Sequence, residues 1–157
     1  MYKLFGIGLP RTGTTSLAKA LRILGYKGEN YCMLSGHKEK DEHTFFEVNN
    51  SFYSCYERLF TENENSMFIL TTRDSTSWQE SVSNFQTTHR KLPNINEYTQ
   101  NVMKFFNDHG ALNQLLVVDL FDKGCDCACK WKNLYGFLRP PPLKVLNADI
   151  LGAFPHV

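Results

Sequence analysis

Apolar positions fall into two kinds of run along this chain of 157 residues. Short unbroken runs predict buried strands over residues 2–8 (YKLFGIG), 67–72 (MFILTT) and 114–121 (QLLVVDLF). Between them the spacing turns helical. Residues 14–25 place Leu17, Ala20, Leu21 and Leu24 on one face, and Gly25 is a natural stop. Residues 51–60 do the same with Phe52, Tyr56, Leu59 and Phe60. Residues 75–85 read as a helix opened by a serine or threonine cap, with Glu80 in its first turns. Residues 94–110 read as a helix closed by Gly110, and 127–138 as the last helix. Residues 28–48 are polar and mixed, with HKEKDEH as a charged loop or short helix. The end, from Arg139, is an irregular tail stopped by three prolines.

Strands alternating with helices predict an α/β fold: three layers, α/β/α, around a central parallel sheet covered on both faces. The expectation is a single domain over residues 1–157, the usual size for one. Ligands in such sheets sit at the carboxyl ends of the strands. The loop after the first strand and the residues after FILTT therefore stand where they could face one ligand.

That loop carries the first chemistry. From Gly8 it reads GLPRTGTTS, the frame of a phosphate-binding P-loop, but Thr14 and Thr15 stand where nucleotide triphosphatases have Lys and Ser or Thr. Backbone N–H groups running into a helix N-terminus hold an anion without any side chain. Thr14, Thr15 and Ser16 add hydroxyls, and Arg11 adds a fixed charge. The missing lysine argues against a standard nucleotide triphosphatase. It suits a terminal phosphate or phosphosulfate, with no metal expected. The plain alternative is a tight strand-to-helix turn. A second anchor is Arg73 at the end of MFILTT, with Ser81 eight residues on. Arg73 and Ser81 can bind a phosphate, or Arg73 can pair with Asp74 at a helix cap beside a surface serine.

Three segments, GLPRTGTTSLAKALRILGY, FILTTRDSTSWQESVSNF and WKNLYGFLRPPP with its later FPHV, resemble the sulfotransferases, in particular their small branch. The resemblance implies the donor 3′-phosphoadenosine 5′-phosphosulfate (PAPS), with PAP as product. It implies that Pro10, Arg11, Thr12, Gly13, Thr14, Thr15 and Ser16 bind the 5′-phosphosulfate, and that Arg73 and Ser81 bind the 3′-phosphate. Arg11 would stabilise the leaving phosphate as the sulfuryl group passes to a hydroxyl or amine of a small-molecule acceptor. The acceptor's proton needs a base. Glu47 is favoured, beside an aromatic pair and near the next helix, and His43 is second; His37, Asp41 and Glu42 are the others. The bland reading of that stretch is a solvated turn. The chain has Cys32 where the branch often has a histidine. Two rivals stay open: a non-catalytic PAPS- or PAP-binding protein, and a P-loop nucleotide kinase-like enzyme needing ATP and magnesium.

The totals narrow the partners. Hydrophobic residues are 42% and aromatic residues 13%, which excludes a disordered chain. A net charge of +1 gives no support to broad nucleic-acid binding. No apolar run approaches the roughly 18 residues of a membrane span. MYKLFGIGL lacks a cleavage site, so no signal peptide is expected. Five cysteines, an odd count, point to reduced thiols and a cytoplasmic setting. Cys125, Cys127 and Cys129 are spaced too closely for the usual zinc pattern and read as free or redox-active thiols. Trp78 and Trp131 read as packing residues, with Trp78 near an adenine as the alternative. His89 and Lys91 read as a surface loop or acceptor entrance, and His156 as a tail contact.

Overall fold

The computed structural model describes residues 3–31, 46–49, 51–85, 91–138 and 152–155. The elements are β1 (Leu4–Gly6), α1 (Thr14–Ile23), β2 (Gly28–Tyr31), β3 (Phe46–Asn49), α2 (Tyr56–Glu62), β4 (Met67–Thr72), α3 (Ser75–Asn84), α4 (Ile95–Asp108), β5 (Leu115–Asp119) and α5 (Cys127–Phe137). The strands form one parallel sheet in the order β2-β3-β1-β4-β5. The expected α/β architecture is present.

Alternation along the strands builds the two faces. Leu4, Met67, Ile69 and Val118 pack with Leu17, Ala18 and Leu21 of α1 and with Trp131 and Leu134 of α5. Phe5, Phe68 and Leu70 pack on the other side with Leu59, Trp78, Tyr98, Val102 and Phe106, from α2, α3 and α4. β1 and β4 are buried on both sides, which is why they read as unbroken apolar runs.

Two strands lie in the stretch that reads as polar, β2 (GENY) and β3 (FEVN). β2 has no apolar period of its own, and the alternation of β3, with Phe46 and Val48 apolar, is only four residues long. Their order comes from the ladder: Leu4, Phe5 and Gly6 pair with Phe46, Glu47 and Val48, and β3 then pairs β2. Gly6 permits the close approach, since a Cβ there would lie 2.7 Å from Val48 Cγ2. The 51–60 stretch divides into a 3-10 turn at Phe52–Ser54 and then α2. At α3 the cap is Asp74 and not the serine or threonine expected: its carboxylate accepts from the amides of Thr76 and Ser77 at 3.1 and 3.2 Å. Asn94 caps α4 in the same way.

The chain's end returns to the core. Phe154 is buried with its ring centroid 4.7 Å from that of Trp131. The Trp131 indole N–H donates to the Gly152 carbonyl at 3.1 Å. Phe154→Ala should therefore cost about 3 kcal/mol of unfolding free energy, read from the urea midpoint, and Phe154→Leu clearly less.

Candidate active site

β1 lies between β3 and β4. The chain leaves β1 over α1 toward β2, and leaves β4 over α3 and α4 toward β5. The two connections part at the carboxyl ends of β1 and β4, the crevice where open parallel sheets hold ligands. Residues 7–13 and Arg73 meet there.

The loop is pressed hard against β4. A Cβ on Gly8 would lie 1.9 Å from Thr71 Oγ1 and 2.8 Å from the Thr71 carbonyl. Buried Thr12 donates its hydroxyl to the Leu9 carbonyl at 2.6 Å, and its oxygen lies 2.7 Å from Thr71 Oγ1. A hydroxyl has one proton, so Thr71 is the donor in that pair. Trp78 Nε1 donates to the Pro10 carbonyl at 2.9 Å, and Tyr98 Oη to the Ile7 carbonyl at 2.6 Å. Burial, reinforced by Tyr56, Cys55 and Tyr53, pushes the Tyr98 phenol far above its ordinary range, so it stays a donor. Arg73 Nη1 donates to the Arg11 carbonyl at 3.4 Å. The carbonyls of Ile7, Leu9, Pro10 and Arg11 are thus all committed to the protein itself.

Two residues of the loop take left-handed backbone, Arg11 (φ 69) and Gly13 (φ 93). Gly13 is the N-cap of α1, with no side-chain cap. The first-turn amides of a helix have no intrahelical partner. Thr14 and Ser16 are buried at that end, and Thr15 is half-buried.

Arg11 reaches toward α3: its Nε donates to Ser81 Oγ at 3.0 Å, and its guanidinium lies 4.4 Å from the Phe85 ring centre. The Arg73 guanidinium lies 4.1 Å from the Phe121 ring centre. Arg73 Nε is buried and has no hydrogen-bond partner among the described residues. The fold therefore brings together Arg11, Arg73 and Ser81. Thr12 and Pro10 serve the loop's shape through their hydroxyl and carbonyl. Asp74 spends its carboxylate on the cap. Hydrogen bonds from the Ser77 hydroxyl and amide, then that of Thr76, hold its carboxyl below the usual range, with the Arg73 charge adding to this.

Residues 3–48, from β1 through the loop and α1 to β3, match a family model described as a sulfotransferase domain. The match supports a sulfotransferase family assignment. Arg73 and Ser81 lie beyond the matched residues. No curated protein matches the chain.

Glu47 sits within β3, its backbone in register with Phe5 and Glu29. His43, with His37, Asp41 and Glu42, lies outside the described residues, as do Cys32, His89 and His156. His109 is at the opposite edge of the sheet, where α4 ends before β5, packed on Phe105. The expectation of free thiols is corrected at two positions: Cys125 and Cys129 form a disulfide. They stand one helical turn apart around the cap residue Asp126, with Cα atoms 5.3 Å apart, within bridging reach. Cys55 and Cys127 are free. Among the described residues no group of three His, Cys, Asp or Glu could hold a metal ion.

Sequence reasoning missed Thr71, Tyr98, Phe85 and Phe121 as parts of the site, and gave Trp78 no bond to the loop. These contacts are long-range, and no local spacing signals them. Gly8→Ala should cost about 2 kcal/mol or more through overpacking, and Thr71→Ala should relieve part of that in a double-variant urea titration. The folded Asp74 carboxyl titrates below the ordinary aspartate range. Its cap stabilises the fold above the unfolded pKa and is lost as pH falls through the folded one. Asp74→Ala should lower the melting temperature at about pH 6 and converge on the parent protein as the pH falls through the folded pKa of Asp74.

Proposed function

We propose that this protein transfers a sulfuryl group from PAPS to a hydroxyl or amine of a small-molecule acceptor. The observation that carries this reading is the convergence of Arg11, Arg73 and Ser81 beside a loop whose carbonyls are tied away. Two guanidiniums without a carboxylate partner among the described residues give this end of the sheet a positive charge that favours an anion. The buried, unpartnered Arg73 Nε supplies a donor directed to none of the protein's own described acceptors.

PAPS supplies an activated sulfuryl group on its 5′-phosphate and a second phosphate on the 3′ oxygen. The amides opening α1, with the hydroxyls of Thr14, Thr15 and Ser16, hold the 5′ group. Arg73 and Ser81 hold the 3′-phosphate, and Arg11 stabilises charge on the leaving phosphate. In line with that group, the acceptor oxygen or nitrogen forms its bond to sulfur as the sulfur–oxygen bond to the phosphate breaks. Glu47 or His43 takes the acceptor's proton. The cytoplasm is the proposed compartment; separately, no helix among the described residues is long and apolar enough to cross a membrane. The Cys125–Cys129 disulfide removes the support that the cysteine count lent to it.

Calorimetric titration with PAP in the absence of magnesium, beside ATP with magnesium, tests the donor. PAP should bind and ATP should not. Arg73→Ala should weaken PAP by at least about 30-fold and Ser81→Ala by about fivefold, as expected for lost charge-assisted hydrogen bonds. Magnesium-dependent ATP binding, with none of PAP, overturns the reading.

A further inference from the structure

Phe121 is a large apolar side chain left 37% exposed just past the carboxyl end of β5. Its position is fixed twice. Its amide donates to the Asp119 carboxylate at 2.8 Å, which folds the chain back as it leaves the strand. Its ring and Leu120 pack against the left-handed residue that opens α1: a Cβ on Gly13 would lie 3.3 Å from Phe121 Cε2 and 3.2 Å from Leu120 Cδ1. From there the ring presents a face to Arg73, 4.1 Å from centroid to guanidinium carbon.

Arg73 has few other restraints. It forms no ion pair among the described residues, its Nε is unpartnered, and its one hydrogen bond, to the Arg11 carbonyl, is long at 3.4 Å. An arginine held so lightly would sample several rotamers, and each anion bound would have to freeze them. A ring face fixes the plane of a guanidinium while leaving its edge N–H groups open. We infer that Phe121 is a positioning residue, which pre-orients Arg73 for the phosphate it receives and couples that orientation to the loop through Gly13.

The inference rests on the PAP-binding reading, and the experiment separates the two. PAP and adenosine 5′-phosphate, which lacks the 3′-phosphate, are measured against the full chain, Phe121→Leu and Phe121→Tyr, the second nucleotide by displacement of PAP. Leucine keeps apolar bulk against Gly13 but has no ring face; tyrosine keeps both. Phe121→Leu should weaken PAP by about three- to tenfold, leave adenosine 5′-phosphate unchanged and leave the melting temperature unchanged. Phe121→Tyr should stay within about twofold of the parent. Equal losses for both nucleotides would mean that the ring touches the shared adenosine or merely shapes the loop, and would overturn the inference. So would unchanged PAP affinity, or a tyrosine variant as weak as leucine. A parent protein with no affinity for PAP removes the proposed function itself.

Discussion

The carboxyl edge of this sheet depends on how tightly the chain after β1 is held against the end of β4. Gly8 has no side chain because Thr71 occupies the place where one would go. The Thr71 and Thr12 hydroxyls close that contact, and the proton of Thr12 continues to Leu9. Three other elements then take the neighbouring carbonyls: α4 through Tyr98, α3 through Trp78, and the end of β4 through Arg73. A peptide offers an anion both a donor and a repelling acceptor at each residue. Committing four carbonyls of one short loop to the scaffold removes much of the repulsion, and that selects for a negatively charged ligand before any charged side chain is considered.

The arginines complete the selection. The described ion pairs, Arg58 with Glu62 and Lys104 with Asp108, lie on exposed helix surfaces and have no part in the site. Arg11 and Arg73 are held instead by a serine hydroxyl, a backbone carbonyl and two phenylalanine faces. None of these neutralises a charge. The site therefore keeps its positive field while its cations are kept in place, which is the arrangement electrostatic preorganisation requires.

Much of this was legible in the sequence, and the divisions follow physical lines. The glycine loop with its helix, the apolar run of β4 and the amphipathic α4 are local patterns, and they appear as read. Arg73 could be paired with the loop because it leaves the carboxyl end of β4, whereas Ser81, inside α3, joins the site only if its helix face points back. β2 was not legible, because Gly28–Tyr31 has no apolar period and is ordered by the strand beside it, and β3 was missed because the alternation of Phe46 and Val48 is short and sits at the end of a polar stretch. Phe121 and Phe85 were hidden for a related reason. An aromatic residue near the end of an element reads as ordinary packing until the partner from a distant segment is known. The Cys125–Cys129 bridge was legible only as a spacing, and it became a geometry once Asp126 fixed where α5 begins.

Arg11 carries the loop's charge three residues ahead of Thr14, where nucleotide triphosphatases have their lysine. Its backbone sits at φ 69, which costs a residue with a Cβ on the order of 1 kcal/mol or more. A glycine would remove that strain. It would also remove the bond to Ser81 and the stack on Phe85, both of which need a long side chain ending in a planar, multi-donor group. A lysine, with a point charge and no plane, could keep the first contact but not the geometry of the second. The left-handed turn also places the Arg11 carbonyl where Arg73 can reach it. One strained residue thus contributes a backbone acceptor to one cation and is itself the other. The strain persists because both halves of the site, one on each side of the sheet's switch point, are tied together through that residue.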